Sequence, residues 1–297
     1  MLPKTLAIIV THNRKKLLER CLEHVQNQLR EPDALMVIDN GSTDGTSEML
    51  AESEIPFIRQ DNLGSAGGWH RGIQYALENQ YEAIWLMDDD GFPGDGSLDQ
   101  LKNSLNPTVA CVSSVVVKEN RPNEFVFPYP LFQNGRMRLK KIQTLSQLKS
   151  VANGQFYPMV HLFNGALIPV KAILSVGNVN AQYFMFGEEV DYYFRLKKYG
   201  EVKSVLAAIH YHPSVSERSY SLEKIYYYAK NTLIINRKYR GSYWVRFLMM
   251  FVVVLFRTAY RNGVWTVIGL LLGMKNRLLY RAIVRGFKNQ LGKDFDA

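Results

Sequence analysis

The sequence predicts an α/β fold with a mostly parallel central sheet, followed by a C-terminal helical extension of different character. Three observations predict it. Short apolar runs are followed, three times in about the first 90 residues, by a polar loop and a stretch with helical spacing of apolar residues, the pattern of β-loop-α units with helices on both sheet faces. At 297 residues, 47% hydrophobic and 21% charged, the chain has the composition of a globular protein with room for one large domain and an appendage. The formal charge of +9 sits in the tail: residues 237–297 carry 12 Lys/Arg against 2 Asp/Glu, whereas the rest carries 24 against 25. A nucleic-acid surface spread over the whole chain is therefore excluded.

Leu6 to Val10 reads as a buried first strand opening into Thr11-His12-Asn13-Arg14, and five residues are too few for a signal peptide core. A helix follows from Lys15 to Gln28, with Leu17, Leu18, Cys21, Leu22 and Val25 on one face. Ala34 to Ile38 is a second strand running into Asp39-Asn40-Gly41-Ser42-Thr43-Asp44-Gly45-Thr46, whose Asn-Gly and Asp-Gly turns precede a helix carrying Met49 and Leu50. Pro56 to Arg59 leads into Asn62-Leu63-Gly64-Ser65-Ala66-Gly67-Gly68, a helix from about Trp69 to Asn79, and the strand Ala83 to Met87 before Asp88-Asp89-Asp90. Val109 to Val117 reads as a further strand. Pro122, Pro128, Pro130 and Pro158 mark residues 106–160 as long irregular connections. Ser204 to Ile209 is a late strand ending in His210-Tyr211-His212. Cys21 and Cys111 can build neither a disulfide framework nor a cysteine zinc site, which suits a reducing cytosol.

In open α/β sheets ligands bind beyond the carboxyl ends of the strands, where Thr11, Asp39, Asn62 and the aspartate run converge. No GxGxxG follows the first strand and no GxxxxGK[ST] occurs, so nicotinamide and P-loop readings lose their main support. Three consecutive carboxylates repel one another unless a cation sits among them. Hard oxygen ligands suit Mg²⁺ or Mn²⁺, which can bridge them to a diphosphate. The plain alternative is a solvated acidic turn. A second acidic cluster, Glu188, Glu189 and Asp191, opens a helix after apolar Phe184 to Phe186, where its charges complement the helix dipole.

The ordered set Ile8-Ile9-Val10-Thr11-His12-Asn13-Arg14, Val37-Ile38-Asp39-Asn40-Gly41-Ser42-Thr43-Asp44-Gly45-Thr46, Asn62-Leu63-Gly64 and Asp88-Asp89-Asp90 resembles the inverting glycosyltransferases of family 2 over roughly the first 220 residues. The resemblance implies a GT-A, or nucleotide-diphospho-sugar transferase, fold. It implies that Thr11, Asp39, Asn62 and Asp88 hold the nucleotide, and that Asp88 and Asp90 hold Mn²⁺ or Mg²⁺, with Asp89 less direct. The run Phe184 to Leu196 resembles the family's second acidic motif and places Glu189 at the catalytic base, with Glu188 and Asp191 as supporting acids. Glutamate stands where the family usually has aspartate, and its extra methylene alters the reach by about 1.5 Å. Similar transferases often place a histidine after the late strand to complete the metal site, implying His210 or, as the alternative, His212. Asn164-Gly165-Ala166-Leu167-Ile168 resembles the segment before the second acidic motif.

The glycine-rich loop, with Trp85-Leu86-Met87 before the aspartates, resembles the galactofuranosyltransferase branch. That likeness implies a donor-sugar role for Gly67, Gly68 and Trp69, through close backbone approach and an aromatic face. The alternative is a helix entry with a core tryptophan. Rhamnosyltransferases share much of the pattern, which keeps a dTDP-rhamnose donor open beside UDP-galactofuranose.

Residues 1–220 are thus expected to be the catalytic domain and 221–297 a basic, apolar helical region. Phe247 to Phe256 and Gly263 to Met274, 10 and 12 residues long and bounded by Arg246, Arg257, Arg261 and Lys275, fall short of the ~20 residues of a spanning helix. With Tyr243, Trp244, Tyr260, Trp265 and Tyr280 nearby they suit helices in the headgroup region of an anionic membrane; a hairpin packed on protein is the alternative. The expectation is a metal-dependent inverting transferase using a UDP-sugar donor and a lipid-linked glycan acceptor of a cell-surface polysaccharide. It would sit peripherally on the cytoplasmic face of the membrane, bind no nucleic acid and leave oligomerisation open. The competing class is a non-catalytic nucleotide-sugar or partner-binding module.

Overall fold

A computed structural model describes residues 2–133, 136–215, 220–239, 241–274 and 277–295; Lys275 lies outside them. The first half is β1 (Thr5–Thr11), α1 (Lys15–Gln26), β2 (Ala34–Asp39), α2 (Thr46–Glu52), β3 (Phe57–Arg59), α3 (Gly64–Glu78) and β4 (Ala83–Asp88). All seven residues of β1 are buried, as expected of a central strand covered on both faces. The strands lie in the order β3-β2-β1-β4, all parallel.

Next come β5 (Phe92–Pro93), α4 (Ser97–Asn103), β6 (Val109–Lys118), β7 (Arg121–Gln133), β8 (Arg136–Thr144), α5 (Leu145–Val151), β9 (Phe156–Tyr157), β10 (Asn164–Pro169) and α6 (Val170–Val176). They are followed by α7 (Glu188–Tyr199), β11 (Glu201–His212), α8 (Leu222–Tyr239), α9 (Tyr243–Asn262), α10 (Val264–Leu271) and α11 (Leu278–Phe287). The sheet continues from β4 as β10-β6-β11-β5. Because β10 is antiparallel to both β4 and β6, the sheet is mixed rather than mostly parallel. The physical reason is where the chain re-enters: the Phe163 carbonyl accepts from the Asp88 N–H at 2.8 Å, so β10 starts at the end where β4 stops.

Residues 106–160 are also more regular than their prolines suggest. Pro122, Pro128 and Pro130 lie inside β7, which pairs with β6 and β8 through shifted register. Interrupted ladders are where a strand tolerates a residue that cannot donate. The helix expected from Trp69 begins at Gly64 instead. A Cβ on Gly68 would meet Val10 at 2.5 Å, and one on Gly72 would meet Ile8 at 2.5 Å, so the missing side chains let α3 lie close to β1.

The chain forms two compact units. The first comprises residues up to Asn62, Gly68–Val179 and Arg195–Ser214; the second comprises Leu63–Gly67, Asn180–Phe194 and the chain from Val215 onward. The second acidic motif thus shares a unit with the tail instead of lying wholly with residues 1–220. In the first unit, Leu18, Cys21, Leu22 and Val25 of α1 pack with Ile9, Val37 and Trp85, and a second cluster joins Val115, Phe125, Tyr129, Ile142 and Tyr157. In the second unit, Ile225, Tyr226, Ala229 and Leu233 of α8 pack with Met250, Val254, Leu279 and Ala282. The apolar run Phe247 to Phe256 lies within the 20-residue α9, which by length and composition could cross a membrane. For this stretch the expectation of a segment too short to span is corrected by the polar and aromatic residues that extend the helix at both ends, whereas α10 is only 8 residues long.

Candidate active site

In the first unit the strand ends lie in register: Thr11 is opposite Asp39 and Val10 opposite Asp88. The Thr11 hydroxyl donates to Oδ2 of Asp89 at 2.7 Å. Nη1 of Arg14 donates to Oδ1 of Asp89 at 2.9 Å and to Oδ2 of Asp90 at 2.7 Å. The like-charge run therefore has a cation beside it, in a residue that the motif contained but sequence reasoning did not single out. Asp89 is buried, and burial holds its carboxyl above the usual range, Arg14 opposing and the Asp90 charge adding to the rise. Asp88 is only half-buried.

Asp39 is fully buried. Its carboxylate accepts from the Ser42 N–H at 2.9 Å and from the Ser47 hydroxyl, which shapes the loop leading into α2. His12, also not singled out from sequence, is exposed. Its Nδ1 lies 2.9 Å from the Asn40 carbonyl oxygen, and its Nε2 lies 3.3 Å from the Asn62 amide nitrogen. Since a carbonyl only accepts, the ring proton belongs on Nδ1 and Nε2 accepts from Asn62.

Donor-sugar roles for Gly67, Gly68 and Trp69 do not match this geometry. Trp69 is 0% exposed and stacks on Phe163 with centroids 4.5 Å apart and planes 6° from parallel, leaving no face for a sugar. Gly67 and Gly68 are buried in α3, where their lack of a Cβ accommodates Leu63, Val10 and Asn40.

Of the two histidines on β11, it is His212 that faces the aspartates. Its Nδ1 lies 2.7 Å from the Pro213 carbonyl oxygen and its Nε2 3.0 Å from Oδ1 of Asp90. His210 is fully buried, with both ring nitrogens lacking a hydrogen-bond partner among the described residues. Glycines at 91 and 165 make room for its ring, and burial, then the neighbouring His212, lowers its pKa to about 3. With the proton of His212 on Nδ1, an imidazole lone pair faces a carboxylate oxygen, an arrangement that repels unless a proton or a cation lies between. Among the described residues no three His, Cys, Asp or Glu side chains form a ready-made metal cage. Such a sparse set fits Mg²⁺ or Mn²⁺, which keep waters and take one or two carboxylates together with substrate phosphates.

In the second unit the three acids occupy the first turn of α7. Asp191 is buried and accepts from Nζ of Lys238 at 2.8 Å and from the Tyr239 hydroxyl at 2.7 Å, which ties α7 to the end of α8. Glu188 is buried and accepts from the Ser65 hydroxyl at 2.7 Å. Its Oε2 has no hydrogen-bond partner among the described residues. Burial pushes its pKa from 4.5 up to about 7. Glu189 is half-buried, the most open of the three.

The raised Glu188 value has a stability consequence. Folded protein retains a proton that the unfolded chain releases, so stability falls as pH rises from about 4.5 to 7. Glu188→Gln is expected to stabilise the protein at pH 8 by up to about 3 kcal/mol, with the difference vanishing below about pH 4.5. Urea unfolding at pH 4.5, 6 and 8 measures this; a pH-independent difference would refute it.

Comparison with known proteins places this arrangement. Galactofuranosyltransferase GlfT1 of Mycolicibacterium smegmatis is 32% identical over 214 residues, 70% of this chain and 70% of its own. The protein of that name from Mycobacterium tuberculosis is 31% identical over 226 residues, 73% and 72% of the two chains. Among solved structures, GalNAc-T7 with UDP, GalNAc and Mn²⁺ matches with a TM-score of 0.62 and 14% identity, over 93% of this chain and 58% of that one. The present chain thus spans less than two thirds of the GalNAc-T7 chain. Mannosyltransferase PcManGT from Pyrobaculum calidifontis, in complex with GDP-Man and Mn²⁺, matches with a TM-score of 0.57 and 16% identity, over 98% and 87%. These likenesses show the GT-A glycosyltransferase fold. The family model described as Glycosyl transferase family 2 matches residues 6–157, just over half of the sequence, and the chain belongs to that family.

Proposed function

We propose that this glycosyltransferase moves galactofuranose from UDP-galactofuranose, with inversion, onto a growing lipid-linked polysaccharide at the cytoplasmic face of the membrane. The observation that carries the proposal is the aspartate run at the end of β4 with His212 against it, in a chain whose relatives are named galactofuranosyltransferases. The nucleoside lies against His12 and Asn62 and the loop that Asp39 shapes, with Asp88 toward the ribose. Thr11 and Arg14 keep Asp89 and Asp90 in place. Asp88, Asp90 and His212 would hold Mn²⁺ or Mg²⁺, which supplies positive charge to the diphosphate leaving group.

Glu189 takes the proton from the acceptor hydroxyl as that oxygen bonds to the anomeric carbon and the bond to diphosphate breaks. Its partial exposure favours it over Glu188 and Asp191, which are both buried. The deciding experiment is calorimetry of UDP, dTDP and GDP with Mn²⁺ present, followed by turnover with UDP-galactofuranose. Tight Mn²⁺-dependent UDP binding and transfer are expected. Preference for dTDP would move the donor to rhamnose, and no nucleotide binding by folded protein would favour a non-catalytic module.

The tail supports membrane docking in the plane of the surface. Met250, Val254 and Thr258 of α9, four residues apart, face the protein, and the Asn262 amide donates to the Tyr220 carbonyl at 2.9 Å. One side of α9 thus rests on its own unit, which favours a helix lying in the membrane plane over one that spans. Its outer side and α10 expose Trp244, Phe256, Tyr260, Val264 and Trp265, with Arg246, Arg257 and Arg261 on the same helix, a pattern that inserts aromatics among anionic headgroups. Trp244→Ser/Phe256→Ser/Trp265→Ser is expected to weaken binding to phosphatidylglycerol vesicles by about 100-fold or more without lowering the melting temperature. Unchanged cosedimentation would assign this face to a protein partner.

A further inference from the structure

The segment entering α7 is unusually constrained. Phe184, Phe186 and Gly187 have φ of +63°, +58° and +98°, and bulky L-residues hold such conformations only where their surroundings enforce them. In the second unit that enforcement comes from α8 and the C-terminal segment. The Asn231 amide group donates to the carbonyls of Tyr183, Met185 and Phe186 at 3.0, 2.9 and 2.8 Å. Its neighbour Lys230, fully buried, donates to the Gly292 carbonyl at 2.9 Å and pairs with the Asp294 carboxylate.

Asp294 is fixed in turn: Arg285 lies 2.8 Å from its Oδ1, and its N–H donates to the Tyr227 hydroxyl at 2.7 Å. The Gly292 N–H donates to the Gln182 carbonyl at 2.7 Å, so this anchored segment grips the start of the constrained stretch. The ring of Phe184 packs on Tyr227 with centroids 5.0 Å apart. None of Lys230, Asn231 and Asp294 has a part in the proposed chemistry, yet the amide of Asn231 holds the residues preceding Glu188 and Glu189 directly, and the Lys230–Asp294 pair anchors the segment whose Gly292 N–H holds Gln182.

We propose that Lys230, Asn231 and Asp294 form a clamp that sets the direction of the first turn of α7 and so acts as a positioning device for the base. The catalytic half of this inference rests on the reading of Glu189 as that base. The clamp also explains why Gly187 is glycine: a Cβ there would lie 2.9 Å from the Tyr183 ring and 3.1 Å from Cβ of Asn231.

The test uses the full chain with Asn231→Ala and, should that variant not fold, Asp294→Asn, which keeps the shape and removes the charge. Amide hydrogen exchange over residues 182–191 is expected to rise about tenfold or more while exchange in the β1–β4 sheet is unchanged. In parallel, kcat should fall about 100-fold, the effect of a small misplacement of a reacting group, with KM for the donor and calorimetric affinity for UDP unaltered. Unchanged exchange in a folded variant overturns the clamp. Raised exchange with unchanged kcat overturns its positioning role, as does a loss of kcat that comes with equal loss of UDP affinity. Full turnover by Glu189→Gln would count against the base assignment instead, and the exchange measurement would still decide the clamp.

Discussion

Glu189→Gln is expected to lower kcat about 10³-fold, in the middle of the range a positioned general base supplies, while UDP binding stays intact. The reason lies in what each acid of the motif has to do. Asp191 is engaged by Lys238 and Tyr239, and removing its charge would leave a cation without its partner. Glu188, protonated over much of the range below pH 7, holds Ser65 at the foot of α3. Glu189 is the least buried of the three and stays partly open to an incoming hydroxyl. Glutamine keeps its volume and removes its basicity, so single-turnover kinetics with saturating donor isolates the chemical step. Turnover that survives in Glu189→Gln and disappears in Glu188→Gln would transfer the role to Glu188.

The second large effect is expected from the aspartates. Asp88→Ala/Asp90→Ala should abolish Mn²⁺-dependent UDP binding and reduce transfer by about 10³-fold or more, the worth of several kcal/mol of charge stabilisation at the leaving group. His212→Ala is expected to act in the same direction with a smaller loss, because its Nε2 addresses the same Asp90 carboxylate. His210→Ala should lower the melting temperature while leaving the Mn²⁺ requirement unchanged, since that ring is enclosed by Gly91 and Gly165. Calorimetry with and without EDTA separates these outcomes. Loss of the Mn²⁺ requirement in His210→Ala and not in His212→Ala would reverse the assignment.

The contrast between these histidines shows where sequence reasoning stops. Residues 210 and 212 lie two apart on one strand and therefore share a face, so periodicity cannot choose between them; only the distance to Asp90 does. The strands β1, β2 and β4 were legible because runs such as Leu6 to Val10 are apolar on both faces, as in a covered parallel sheet. The direction of β10 was not, because apolar patterning is the same whichever way a strand runs. Glycines 64, 67 and 68 argued for a loop by propensity, and their packing overrode it. Trp69 carried an aromatic signal that served a binding face or a core equally, and its stack on Phe163 decides for the core. Arg14 was in view within the first motif, but a cation for buried Asp89 and Asp90 becomes necessary only once their burial is known.

The interleaving of the two units bears on how such enzymes can be recombined. A chimaera cut once near residue 220 would join the tail of one relative to a Leu63–Gly67 and Asn180–Phe194 of another. It would separate Asn231 from the carbonyls it holds and Asp191 from Lys238. Exchange of the tail alone therefore carries a mismatch into the motif that bears the base, whereas a three-segment transplant preserves it. The tail and the second acidic motif behave as one module, although the 12-residue strand β11 lies between them in the chain.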